Sequence, residues 1–291
     1  MKKGSRKDIE LVSLDFLKQS KSLGIFPTPV ENIVRYSQLI VDSKTDITKI
    51  PKNYLLRTSE VLKRALRKWR GALDRREKVI YIDPNQPEVR KKFIQLHEVG
   101  HEALPWQRQT FEYMEDDDST IDPDTKDEFE AEANYFASAT LFQLDRFDEE
   151  MQKLPLEIKS PMYLSKLFGS STHAAIRRYV EYSSKRCALL VLKDPEHSIV
   201  EGCMVRNYFQ SSSFTNEFGE ITWQKTLGIE WTFVQDYLKK KKFHTIGQCC
   251  LATHEGVTTF QYHYFYNTYN AFVLIMPTGE KNYSRTRIVF K

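Results

Sequence analysis

The chain is short of glycine, proline and long apolar runs, and each shortage excludes a class of protein. With 11 Gly and 11 Pro among 291 residues, a collagen-like chain and a Pro/Gly-rich low-complexity chain are excluded. No window approaches the ~18 to 20 apolar residues needed to span a bilayer, and the basic N-terminal segment lacks the apolar core of a signal peptide. We therefore expect a cytoplasmic protein with no membrane partner.

The chain also has few cysteines and few histidines, and its net charge is small. The four cysteines include no C-x-x-C pair, which argues against a zinc ribbon or a disulfide framework. A net charge of +4 is too small to indicate a nucleic-acid partner by itself. Aromatic residues, by contrast, make up 13% of the chain, so a fully disordered protein is excluded. Of the seven histidines, two stand four residues apart.

The hydrophobic pattern predicts an α+β fold whose organisation changes near Lys185. Before this residue helical periodicity dominates, with the clearest helices at 87–104 and 127–147 and a short strand at 78–83. The acidic segment 111–130 lacks apolar periodicity and is predicted to be a surface loop. After Lys185, alternating aromatic and β-branched runs between turn residues predict strands.

These changes in pattern predict three parts of the chain. Residues 1–158 form a mainly helical domain, and residues 159–184 form a short unit of two helices around Gly169 that resembles a helix-turn-helix. Residues 185–291 form a smaller, β-rich α+β domain.

His97, Glu98 and His101 form an H-E-x-x-H motif inside the predicted helix 87–104. Positions i and i+4 lie on one face of a helix, so both imidazoles can reach a single zinc ion at roughly 2.0–2.1 Å. Glu98 projects from the adjacent position and can accept a proton from a zinc-bound water. The motif therefore predicts zinc-dependent hydrolysis with Glu98 as the general base.

The third metal ligand is expected on the second strong helix, 127–147, because catalytic zinc sites usually have three protein ligands. Its candidates are Glu128, Glu130 and Glu132. Glu130 and Asn134 form an i, i+4 pair beside the apolar stripe of that helix. A polar residue one turn after a ligand can hydrogen bond to a ligand histidine and fix its tautomer, which suits Asn134.

At this point the chain resembles the ImmA/IrrE family of metallopeptidases. The family pattern is H-E-x-G-H followed by E-x-x-A-[DN]-x-F-A. The segments that match are Phe93–His101 and Glu130–Ala137, with weaker likenesses at Phe26–Pro29, Ile80–Asp83 and Leu164–Arg178. A departure follows the second segment, where Leu141–Leu144 stands in place of the Leu-Met-Pro stop of many members.

The resemblance implies a gluzincin-like, mainly helical metallopeptidase domain over residues 1–158. His97, His101 and Glu130 would bind zinc, with manganese as the alternative ion, Glu98 would be the general base, and Asn134 would support a ligand histidine. Members of the family cleave a helix-turn-helix repressor and so relieve repression of mobile-element or DNA-damage genes. The resemblance therefore implies a role in transcription regulation and the stress response, with a repressor as the protein partner. By position, residues 185–291 correspond to the sensor-like domain of some members.

A second function class stays open, a DNA-binding or partner-binding regulator whose zinc is structural. The basic segment 63–70 and the pair Arg177 and Arg178 could meet phosphates, but no third supporting helix is identifiable, so direct DNA binding is the less favoured prediction. The presence of Glu98 favours the enzyme over the regulator, because a structural zinc site needs no general base. Tyr135, His173 and Arg177 are the candidates for an oxyanion partner, and the sequence does not choose among them.

Overall fold

The structure is a computed structural model that describes residues 3–44, 71–117, 123–194 and 202–279. The chain forms two compact units, Met1–Phe147 with Lys166–Ser171, and Asp148–Ser165 with Thr172–Lys291. The predicted division into residues 1–158, 159–184 and 185–291 stays a prediction. The basic segment 63–70 lies outside the described residues.

The first unit combines helices with a small sheet. Its elements are α1 (Lys3–Gln19), α2 (Val30–Tyr36), β1 (Ile40–Asp42), β2 (Gly71–Asp74), β3 (Val79–Ile82), α3 (Glu88–Ala103), α4 (Pro105–Asp117) and α5 (Pro123–Leu141). The strands lie in the order β1-β3-β2, with β1 parallel and β2 antiparallel to β3. Strand β2 lies against α3, since a Cβ atom on Gly71 would meet Ile94 Cγ2 at 2.3 Å.

Helix α1 packs on α5 through one apolar face with a polar pair in its middle. Ile9, Ser13 and Leu17 follow each other at four-residue intervals and are fully buried. Ser13 Oγ and Thr140 Oγ1 of α5 are 2.8 Å apart, so each hydroxyl satisfies the other inside the core. The buried face of α1 therefore belongs to the hydrophobic core around α5.

The loop predicted at 111–130 is wrong at both ends, because α4 continues to Asp117 and α5 begins at Pro123. Pro105 suits the first position of a helix, where its missing N–H would be unpaired anyway. Among residues 105–111 of α4, whose burial is described, the fully buried side chain is the polar Gln107. A search for apolar periodicity cannot detect a helix that is anchored in this way.

Helix α5 ends at Leu141, earlier than the predicted residue 147. Gln143 and Leu144 have φ values of 51° and 57°, and these left-handed conformations break the helix. The apolar pattern continues through the break because Phe142 and Phe147 pack against each other with ring centroids 4.9 Å apart. Periodicity alone could therefore not locate the end of this helix.

The second unit contains one antiparallel six-stranded sheet with helices. The division between the units falls within α6 (Asp145–Gln152) and α7 (Lys159–Phe168), and α8 (Thr172–Glu181) follows. The remaining elements are β4 (Ala188–Lys193), β5 (Gly202–Gln210), α9 (Ser212–Phe218), β6 (Thr226–Gly228), α10 (Thr232–Leu238), β7 (Phe243–Thr253), β8 (Gly256–Tyr266) and β9 (Ala271–Pro277). The strands lie in the order β6-β5-β4-β9-β8-β7. The predicted α+β fold, with a helical first part and a β-rich second part, is confirmed.

Among the helices in the described part of the chain, none is both long and apolar enough to cross a membrane.

Candidate metal centre

Helix α3 presents His97 and His101 side by side, one turn apart, as their spacing predicts. Their Nε2 atoms are 3.2 Å apart and both side chains are buried. A buried imidazole needs a partner for each ring nitrogen, so two facing Nε2 atoms mark a place built for a shared third group.

Glu130 of α5 supplies a carboxylate to the same place. Its Oε2 lies 3.5 Å from His97 Nε2 and its Oε1 lies 3.7 Å from His101 Nε2. The helices approach closely because Gly100 has no side chain, since a Cβ there would lie 3.2 Å from the Cα of Ala133. The packing of α3 on α5 therefore brings Glu130 to the two histidines, although Glu130 and His97 are 33 positions apart in the sequence.

These three side chains fit a tetrahedral metal ion. One ligand atom from each lies within 4.8 Å of the others. Ligand atoms at about 2.0 to 2.2 Å from a tetrahedral zinc ion are separated by roughly 3.3 to 3.6 Å, close to the distances between Nε2 and carboxylate oxygens here. No other group of three such residues is found in the part of the chain that the structure describes. Of the three glutamates predicted as candidates, the structure brings Glu130 to the histidines, whereas Glu128 is exposed.

Glu98 lies beside this cluster and is itself buried. Burial raises the pKa of its carboxyl to about 7, although the charges of His97 and Arg75 and a hydrogen bond from the backbone N–H of Leu73 oppose the rise. Strand β2, which carries Leu73, thereby holds the carboxylate against α3. A carboxyl with a pKa near neutrality can exchange a proton at physiological pH.

The pKa values of the two histidines are shifted in opposite directions, because the two imidazoles lie next to each other and a positive charge on one disfavours a positive charge on the other. Burial, together with the neighbouring charge of His97, lowers the pKa of His101 to about 3. Burial also disfavours the charged form of His97, but its hydrogen bond with Glu130 and the charge of Glu98 outweigh this and raise its pKa. Neutral imidazole is the form that binds a metal ion, and His101 is held in it.

Asn134 lies one turn after Glu130, and its side chain contributes to raising the pKa of His97. The i, i+4 spacing puts Glu130 and Asn134 on one face of α5. The role predicted for Asn134, to support a ligand histidine, stays a prediction.

Two neighbours of His101 carry no sequence signal of their own. Gln107 of α4 contacts its Nδ1, with Oε1 at 2.8 Å. Arg75, in the turn after β2, donates from Nη2 to the backbone oxygen of His101 at 3.1 Å, and its guanidinium lies 3.9 Å from the centre of the Phe111 ring. Neither residue belongs to a periodic pattern with the motif, so sequence reasoning missed both.

The three candidates for an oxyanion partner are engaged elsewhere. The Tyr135 hydroxyl donates to Glu10 of α1. His173 and Arg177 belong to the second unit, where His173 packs on Phe272 and Arg177 pairs with Glu181.

A helix with an H-E-x-x-H motif and a carboxylate from a second helix defines a metallopeptidase-like arrangement. The family model described as the IrrE N-terminal-like domain, of the peptidase M78 family, matches residues 58–179 and thus includes both helices. Residues 58–179 thus resemble the IrrE N-terminal-like domain, and the resemblance to the ImmA/IrrE family that was stated from the sequence is confirmed over these residues.

A solved structure described as a Mycobacterium tuberculosis transcriptional regulator is similar in fold. The two chains are 12% identical, the likeness covers 93% of this chain and 76% of the other, and the TM-score is 0.52. No curated protein sequence is similar enough to be matched.

Proposed function

We propose that the protein is a metal-dependent endopeptidase, with His97, His101 and Glu130 as ligands and Glu98 as the general base. The buried Glu98 carboxyl beside the three-residue cluster carries this proposal. A structural zinc site is usually closed by four protein ligands and has no use for a base, whereas a catalytic site keeps one position open. A zinc ion bound there would polarise the substrate carbonyl and lower the pKa of its bound water to about 7.

Each residue of the proposed site has a separate role in hydrolysis. Glu98 takes a proton from the attacking water and returns it to the leaving amine, a role supported by its pKa near 7. Leu73 N–H keeps the carboxylate next to the cluster. Asn134, which contributes to raising the pKa of His97, orients this histidine in the proposed site. Zinc suits two imidazoles and a carboxylate, and manganese is the alternative ion.

The substrate class is proposed from the family, as a helix-turn-helix transcriptional repressor in the cytoplasm whose cleavage changes gene expression under stress. The β-rich C-terminal domain, residues 185–291, would then have a regulatory role. Co-expression with candidate repressors, followed by mass analysis of the fragments, tests this part of the proposal. Intact repressors in every pairing would contradict it.

The catalytic assignment is tested by two variants and their matched controls. Glu98→Gln keeps the size of the side chain but cannot take a proton, so we expect normal zinc content and a loss of cleavage of about 10²- to 10⁴-fold. Glu130→Ala should lose zinc because one ligand is missing. Glu88→Gln and Glu128→Ala change exposed glutamates on the same two helices and should alter neither property. Cleavage at the wild-type rate by Glu98→Gln would refute the mechanism.

The alternative, a DNA-binding or partner-binding regulator with a structural zinc ion, draws support from the description of the structural neighbour as a transcriptional regulator. Binding of the purified protein to DNA over a series of salt concentrations distinguishes the two. Strong, sequence-selective binding without proteolysis of any partner would favour the regulator.

A further inference from the structure

Gln107 is the partner of the His101 ring nitrogen that faces away from the metal cluster. His101 Nδ1 and Gln107 Oε1 are 2.8 Å apart, and both side chains are buried. Neutral histidine carries its proton on one nitrogen or the other, and only the nitrogen without the proton can bind a metal ion. The direction of this hydrogen bond therefore matters for the proposed site.

The surroundings of Gln107 settle which of its amide atoms faces His101. Its Nε2 donates to the backbone oxygen of Phe129 at 3.1 Å and to Glu132 Oε2 at 2.8 Å. A backbone carbonyl can only accept a hydrogen bond, so the amide nitrogen must point to Phe129 and the amide oxygen to His101. The proton then resides on His101 Nδ1, and the lone pair on Nε2 points to His97 and Glu130.

Glu132 fixes Gln107 from the other side. This buried carboxylate accepts from Trp106 Nε1 at 2.7 Å and from Gln107 on Oε2, and from Ser5 Oγ at 2.9 Å on Oε1. Its three donors come from α1 and α4, so the carboxylate ties both helices to α5. Glu132 stands two residues after Glu130 and projects to a different neighbour, which separates the roles of the two glutamates.

We propose that Gln107 and Glu132 are positioning residues that hold His101 in the tautomer with a free Nε2. The proposal rests on the metal site of the proposed function, but not on peptidase activity. Hydrogen-bond partners of ligand histidines typically alter metal affinity by about 10- to 100-fold when they are removed. We therefore expect α4 to influence the affinity of the site for its metal ion through Gln107, which does not itself contact the ion.

The first measurement is the tautomer of His101 in the metal-free wild-type protein. Long-range ¹H–¹⁵N correlation spectra of protein labelled at histidine distinguish a proton on Nδ1 from a proton on Nε2. We expect the Nδ1–H form in the wild type and a shift toward the Nε2–H form in Gln107→Leu. A wild-type His101 in the Nε2–H form would overturn the proposal, and this arm requires no variant.

The second measurement is zinc affinity by competition with a chelator. Gln107→Leu should bind zinc about 10- to 100-fold more weakly, and Gln107→Met, which keeps the length of the side chain, should show the same loss. Gln109→Leu makes the identical change at an exposed position of the same helix and serves as the matched control. Equal affinities for all four proteins would overturn the proposal. A wild-type protein that binds no zinc would instead contradict the proposed function, while the tautomer would still be decided by the spectra.

Discussion

At the scale of single residues, Gly100 sets the distance between the two helices of the metal cluster. A Cβ there would lie 3.1 Å from Phe136 Cδ1 and 3.3 Å from the backbone oxygen of Ala133. The backbone of α5 cannot yield as a flexible side chain can, so the helices must separate. The same separation would move Glu130 away from the histidines.

Gly100→Ala is therefore expected to lower the free energy of unfolding by about 1 to 3 kcal/mol, the usual cost of overpacking. It should also weaken zinc binding. Urea denaturation and chelator competition measure the two effects. Ala131→Ser, at an exposed position of α5, is the control. A Gly100→Ala protein that is more stable than the wild type and binds zinc normally would show that the contact between α3 and α5 can accommodate a Cβ atom at position 100.

His173 makes the stability of the second unit sensitive to acid. Burial, together with the charges of Arg206 and Arg177, lowers its pKa to about 4. An unfolded chain takes up this proton near pH 6.5 and the folded chain does so only near pH 4, so stability falls as the pH drops through this window.

His173→Phe keeps an aromatic ring against Phe272 and removes the titration. Between pH 7 and 4.5 the wild type should lose about 1 to 2 kcal/mol more stability than this variant, a figure that allows for the partial exposure of the ring. Urea unfolding at several pH values measures the difference. Parallel stability curves for the two proteins would exclude His173 as a source of acid sensitivity.

The residues of the candidate site differ in how far the sequence could predict them. His97, Glu98 and His101 follow from helix geometry, because an i, i+4 pair shares a face wherever the helix lies. The third ligand required the family, since three glutamates occur within five residues of α5 and only packing separates them. Gln107 could not be predicted, because the chain turns after α3 and no periodicity relates it to His101.

At the scale of elements, α1 and α5 are joined by a hydrogen bond inside their apolar contact. Ser13 and Thr140 are both fully buried and each satisfies the hydroxyl of the other. Ser13→Ala or Thr140→Val should each cost about 1 to 2 kcal/mol, because the remaining hydroxyl loses its partner in the core. The double variant should cost no more than either single one, since no polar group is then left unpaired.

Urea unfolding of the four proteins gives this coupling directly as a double-mutant cycle. Strictly additive losses would indicate that the two hydroxyls do not act as a pair, and that α1 is held to α5 by its apolar residues alone.

The elements whose inward faces are apolar were predictable, and those with polar inward faces were not. Helix α3 ends within a residue of its predicted limit because its buried positions include Ile94 and Leu96 at helical spacing. Helix α4 was missed because the side chain that its described first half buries fully is the polar Gln107. The break after α5 was missed because left-handed residues at 143 and 144 leave no mark on the apolar pattern.

At the scale of the whole molecule, continuous apolar runs indicate which strands lie in the middle of a sheet. Strands β4 and β9 are buried along nearly their full length and stand next to each other at the centre of the order β6-β5-β4-β9-β8-β7. Their sequences predict burial on both faces. Their adjacency joins segments some 80 residues apart, which no local pattern contains.

Binding of zinc should stabilise the molecule locally, in the unit that holds the ligands. A ligand at 100 times its dissociation constant stabilises the folded state by about 2.7 kcal/mol. Helices α3 and α5 carry all three proposed ligands, so we expect their amide hydrogens to exchange up to about 100-fold more slowly when zinc is bound. Strands β4 and β9 carry none and serve as the internal reference. Hydrogen exchange with mass spectrometry, with and without a chelator, measures both regions in one sample.

Glu130→Ala should abolish the zinc-dependent protection, because two imidazoles alone leave the ion without its third protein ligand. An equal gain in β4 and β9, or a gain that survives Glu130→Ala, would mean that zinc acts on this protein from some other place.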